Sequence, residues 1–92
     1  MTRILIVNGW SEEGDLAHLK AKCKLQSEIF VSLVKTVIKK SKIDIFNSYR
    51  PLQNLNLNTY NAFIWTGGGG NIYEKNFHNS SQLNLCEKIL KL

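Results

Sequence analysis

Ninety-two residues, 43% of them apolar, with a formal net charge of +5, describe one small globular domain or part of a larger one, and exclude a disordered chain. The only two cysteines, Cys23 and Cys86, lack C-x-x-C spacing, which speaks against a metal ribbon; both fall in apolar-periodic stretches and read as reduced, half-buried helix residues. The opening apolar run is too short for a signal peptide or a membrane span, so the sequence is expected to be cytoplasmic, with no membrane contact.

Ile4, Leu5, Ile6 and Val7 form a continuous run of β-branched and leucine residues, the pattern of a strand covered on both faces. Asn8-Gly9 stops it. Residues 10–15 make a polar, acidic connection, and Asp15 is expected to cap the helix that follows. Leu25, Ile29, Phe30, Leu33, Val34, Val37 and Ile38 recur at helical spacing and predict one apolar face running to about Lys40. Leu16, Leu19 and Cys23 continue that spacing, so the helix starts anywhere between 16 and 24. Residues 43–46 read as a second strand. Residues 47–60, with Pro51, form a long irregular connection without chemistry of its own, pinned to the body by Leu52, Leu55 and Leu57. Residues 62–65 are the third strand. Ser80 or Ser81 is expected to cap a last helix with Leu83, Cys86, Ile89 and Leu90 on one face. Strands alternating with helices imply a parallel sheet with right-handed crossovers, the front part of a three-layer, doubly wound α/β domain.

The charge is uneven. Seven lysines (20, 22, 24, 35, 39, 40 and 42) stand against Glu28 between residues 20 and 42, a local +6 that leaves −1 for the remainder. These lysines interleave with the apolar helix positions and read as a solvated face. No aromatic stacking platform accompanies them, so nucleic acid is not an expected partner.

Four of the six glycines, Gly67 to Gly70, follow the third strand directly. The carboxyl end of a strand in an open α/β sheet is where backbone amides face ligands. No G-x-x-x-x-G-K-[ST] pattern is present, and no G-x-G-x-x-G opens a helix, which disfavours nucleotide binding. Two readings stay open for the corner: a surface turn without a ligand, or a remnant oxyanion or anion site.

The opening strand Arg3-Ile4-Leu5-Ile6-Val7, the segment Tyr60-Asn61-Ala62-Phe63-Ile64-Trp65-Thr66-Gly67-Gly68 and the following Asn71-Ile72-Tyr73 resemble the amino-terminal part of a class I glutamine amidotransferase domain, the glutaminase module of GMP synthase and its relatives. The helix over residues 82–91 is similar to the one that leads into that family's catalytic strand. The resemblance implies a flavodoxin-like parallel sheet, with residues 1–92 as a truncated front half. It also implies that Gly68, with Gly67 and Gly69 beside it, belongs to an oxyanion or substrate-binding turn whose backbone N–H faces a developing negative oxygen. The family often has proline where Gly69 stands, so this turn is less rigid.

The same resemblance implies a later G-x-C-x-G nucleophile turn and a His-x-Glu pair, and neither occurs within the sequence. Cys86 lies in a helical pattern without the flanking glycines of a nucleophile turn. His18 and His78 lie in polar contexts without a spaced carboxylate. No catalytic residue, metal ligand or cofactor is therefore assigned, and no activity is expected from the chain alone. An uncovered edge at 62–65 leads to the expectation of self-association, pairing with a complementing carboxyl-terminal fragment, or poor folding. The alternative is a non-catalytic interaction or assembly module that uses an exposed sheet edge or the basic helix face.

Overall fold

A computed structural model describes residues 1–51, 55–67 and 76–92. Strand β1 (Thr2–Asn8) lies at the centre of a three-stranded sheet of order β2-β1-β3. It pairs in parallel with β2 (Ser41–Asn47) on one side and with β3 (Ala62–Trp65) on the other. Ile4, Leu5, Ile6 and Val7 are each 1% exposed or less. Their unbroken apolar run is thus the run of a strand covered on both faces. The element order is that of an α/β domain, and no helix among the described residues is long and apolar enough to cross a membrane.

Side chains alternate across the sheet. Leu5 and Val7 join Phe46 of β2 and Leu85 in one buried cluster, against which Leu55, Leu57, Tyr60, Phe63, Trp65 and Ile89 pack. Leu55 and Leu57 do pin the β2–β3 connection to the body, whereas Leu52 lies outside the described residues. Leu85 and Ile89 bring helix α3 (Phe77–Leu90) to this face. The opposite face carries Ile4 and Ile6. No residue of helix α2 (Gln26–Val37) enters the Leu5–Leu85 cluster although α2 contacts β1 and β2, so α2 covers the Ile4–Ile6 face.

Four local expectations are corrected. The spacing that joined Leu16, Leu19 and Cys23 to the later helix does not produce one helix. A separate helix α1 (Glu12–Lys20) ends where Lys22 takes a positive φ of 59°. Cys23 N–H then donates to the His18 carbonyl at 2.8 Å and Lys22 N–H to the Leu19 carbonyl at 3.0 Å, closing the helix with a left-handed residue. Asp15 is not the cap; Ser11 is, its Oγ accepting from Gly14 N–H at 3.0 Å. Helix α3 starts earlier than Ser80, because the Asn76 side chain caps it by accepting from Asn79 N–H at 2.9 Å. The cysteines are not half-buried: both are exposed, Cys23 between helices and Cys86 on the outer side of α3.

The helices are also less covered than their periodicity suggests. On α2 Phe30 and Val34 are half-buried, as is Ile38 just beyond its end, whereas Leu33 is 60% and Val37 82% exposed. The apolar arc of this helix is wider than the sheet beneath it. On α3 Leu85 is buried and Ile89 half-buried, while Leu83 and Leu90 are exposed.

Leu85 carries much of the contact between α3 and the sheet. Leu85→Ala is expected to lower unfolding stability by about 2–5 kcal/mol, as deletion of a fully buried leucine does. Urea denaturation followed by circular dichroism checks this; a change below about 0.5 kcal/mol, the scale of a surface substitution, would contradict the packing described.

Candidate functional site

The carboxyl ends of the three parallel strands meet at Asn8. Its side chain is fully buried. Nδ2 donates to Asp15 Oδ2 at 2.8 Å and to Asn47 Oδ1 at 3.0 Å, and Oδ1 accepts Trp10 N–H at 3.2 Å. The Asn8 carbonyl accepts Ser48 N–H at 3.1 Å, and the Val7 carbonyl accepts Thr66 N–H at 2.9 Å. One strand end therefore ties together α1, the end of β2 and the end of β3.

Thr66 is the second organising residue. It is 6% exposed, and its Oγ1 accepts Gly9 N–H at 2.9 Å. The Thr66 hydroxyl donates to the Gly67 carbonyl at 2.9 Å, with Asn8 Oδ1 at 3.3 Å as a second acceptor. Because β1 is central, the turn after β3 is held against the turn after β1. A Cβ at Gly9 would sit 2.9 Å from Gln82 Oε1, 3.3 Å from the Thr66 carbonyl and 3.4 Å from the Gly67 carbonyl. Gly9 is thus crowded by the far end of the Gln82 side chain and by the β3 corner, while backbone angle does not call for glycine, since no described glycine has positive φ.

At Gly67 the result differs from what a glycine run suggests. A Cβ there would meet no described residue within 4 Å, and φ is not positive. Neither packing against the described residues nor backbone conformation demands glycine at this position. The other expected members of the turn, Gly68 and Gly69, lie outside the described residues. Gly67 is exposed and follows directly on the buried Thr66.

Two residues that sequence reasoning left out belong to this cluster. Asp15 is 5% exposed; its Oδ2 accepts both Asn8 Nδ2 and the Tyr49 hydroxyl, the latter at 2.9 Å, while Oδ1 has no partner among the described residues. Tyr49 lies in the segment expected to carry no chemistry, and so do Asn47 and the buried Ser48. Burial first, then the hydrogen bond to Asp15 and the Asp15 charge, push the Tyr49 hydroxyl from 10.0 up to about 12. Tyr60 donates to Asp44 Oδ2 at 2.6 Å, and burial followed by that bond raises it likewise to about 12. No single residue type signalled Asp15 or Tyr49; only the pairing of Asn8 with a nearby acidic residue at a strand end offered a hint.

The arrangement makes a scaffold rather than a proton-transfer relay. His18 Nδ1 lies 2.8 Å from the Gly14 carbonyl, and the His18 ring meets Trp10 edge-on at 4.8 Å. Cys23 and Cys86 are exposed and away from the strand ends. Among the described residues no three His, Cys, Asp or Glu side chains are grouped closely enough to hold a metal ion. What the cluster offers chemically is a fixed exit for the backbone from β3 into the glycines.

Comparison with family models, with curated proteins and with solved structures gives no match.

Three results are expected from this geometry. Thr66→Val keeps the side-chain shape but strips Gly9 N–H of its acceptor, at a cost of about 1–3 kcal/mol in unfolding stability, and Thr66→Ser restores most of it. Gly9→Ala destabilises by about 1–3 kcal/mol, and adding Gln82→Ala recovers part because one of the three close contacts is a side chain. Both tyrosines hold their protons more tightly folded than unfolded, so their stabilising contribution is complete below pH 10 and is lost as pH climbs towards about 12. A Tyr49→Phe/Tyr60→Phe variant should lack that part of the alkaline decline in chemical denaturation; an unchanged decline would contradict the assignment.

Proposed function

We propose that this chain is a class I glutamine amidotransferase-like, flavodoxin-like α/β unit whose corner at Gly67, Gly68 and Gly69 supplies backbone amides to an oxyanion, without hydrolysing glutamine on its own. The observation that carries the reading is the Gly9 N–H to Thr66 Oγ1 bond at 2.9 Å. It fixes the transition from β3 to the glycines at the carboxyl edge of a parallel sheet, where such folds receive ligands. The strand order β2-β1-β3 is compatible with the same family of folds. An oxyanion site asks for preorganised N–H donors more than for side chains, and the Thr66 anchor fixes the point at which the chain enters the glycines. The family's cysteine, histidine and glutamate have no counterparts in the sequence, and the two cysteines present sit on exposed surface.

The second reading, an assembly module without catalysis, draws on a different observation. Ile29, Leu33 and Val37 form an uncovered apolar stripe along α2, and among the described residues β2 and β3 each pair with β1 alone.

Two measurements separate these. The purified chain incubated with glutamine should release no glutamate above the buffer rate; sustained turnover by the chain alone would contradict the proposal. Titration with glutamate, followed by amide ¹H–¹⁵N shifts, should move residues 67–69 first and most. Shifts confined to α2, or none at millimolar glutamate, would favour the assembly reading.

A further inference from the structure

Among the described residues the outer edge of β2 is unpaired, and it carries a charge pattern that fits a second copy of itself. In the β1–β2 ladder Ser48 N–H donates to the Asn8 carbonyl at 3.1 Å, and the register sets Asn8 opposite Asn47. Alternate residues of a parallel strand bond to the same neighbour. Lys42, Asp44 and Phe46 therefore turn their N–H and C=O groups to β1, while Ile43 and Ile45 turn theirs outward. The Ser41 carbonyl is outward as well, and Lys35 Nζ reaches it. Lys42 is exposed and makes no ion pair with a described residue. Asp44 holds Arg3 at 3.9 Å and Tyr60 at 2.6 Å, both through Oδ2.

We propose that two chains pair through antiparallel β2 edges centred on Ile43, joining their sheets into one. A two-fold axis perpendicular to the sheet keeps each side chain on its own face and permits only pairings in which the two residue numbers sum to an even value. Centring on Ile43 sets Ile43 opposite Ile43 as the hydrogen-bonded pair. It sets Lys42 of each copy opposite Asp44 of the other as non-hydrogen-bonded pairs, where side chains approach most closely. Shifting the centre one residue either way sets Asp44 against Asp44 or Lys42 against Lys42, which like charges oppose. The pattern Lys42-Ile43-Asp44 thus selects one register against its neighbours.

The other face and the strand ends agree with this choice. Ile45, 43% exposed in the single chain, gains Ser41 of the second copy as its direct neighbour and Ile43 diagonally. Ser41 is 5% exposed beneath the part-buried Lys35 contact, so Lys35 must swing away and give up the Ser41 carbonyl to Ile45 N–H of the second copy. Beyond that point a hollow of about 140 Å³, lined by Ile45, Asn47, Pro51 and Leu55 among others, leaves room for the second chain as it enters its own β2.

Light scattering on the eluting protein at about 100 µM chain, enough to saturate a micromolar contact, should give the mass of a dimer. Ile43→Pro removes an outward N–H that the β1 ladder does not use, so it should give a monomer with an unchanged far-ultraviolet spectrum. Lys42→Asp should raise the dimer dissociation constant by about tenfold or more, and Lys42→Asp with Asp44→Lys should bring it back, because the swap keeps opposite charges facing. If the doubly changed chain loses its fold with the Tyr60 contact, Ile43→Pro and Lys42→Asp decide alone. A wild-type monomer overturns the proposal. So does a dimer that survives Ile43→Pro, or one indifferent to Lys42→Asp.

Discussion

Asn8 is the constraint on which the rest of this structure depends. A primary amide has two donors and an acceptor oxygen with two lone pairs, and here both donors and the oxygen are engaged inside the protein. Its partners come from α1, the end of β2 and the turn after β1 itself, and its own carbonyl receives Ser48. A buried amide with fewer partners would cost folding energy. With all of them it fixes the start of α1 and the turn after β1 against the end of β2, which lies 39 residues further along the chain. Networks of this kind act as a unit, so losing one member releases the others.

That network explains why the carboxyl edge of the sheet is ordered although so few residues build it. Thr66 adds the third strand by accepting from Gly9 across the top of β1. The Leu5–Val7–Phe46–Leu85 cluster fastens the same strands from below, so hydrogen bonds hold the rim and apolar packing holds the body. The α2 side is built differently. There a helix with an apolar arc broader than its seat leaves Leu33 and Val37 in water.

Much of this was legible in the sequence, for identifiable reasons. The strands stand out because parallel β1 is apolar without interruption and β3 is bounded by Asn61 and the glycines. The helical faces follow from spacing, but spacing does not report how wide a sheet lies underneath, so Leu33 and Val37 were expected to be covered. The break between α1 and α2 was hidden because Lys22 adopts a left-handed conformation that its residue type does not advertise. The glycine corner was visible, yet a glycine crowded by its neighbours lies elsewhere, at Gly9. Its crowding comes from Gln82 and from the carbonyls of residues 66 and 67, contacts made only in three dimensions. Asp15 was read as a helix cap and Tyr49 as loop for the same reason, since 34 residues separate the two ends of their hydrogen bond.

The central claim is that one buried amide holds three strand ends as a single unit. Amide hydrogen exchange measured by NMR on wild type and Asn8→Ala addresses it most directly. The Gly9, Ser48 and Thr66 amides should be protected in wild type to nearly the level of Ile6, and all three should lose that protection together in Asn8→Ala while Leu5 and Ile6 keep theirs. Rapid exchange of these amides in wild type, or loss at one site without the others, would contradict the account.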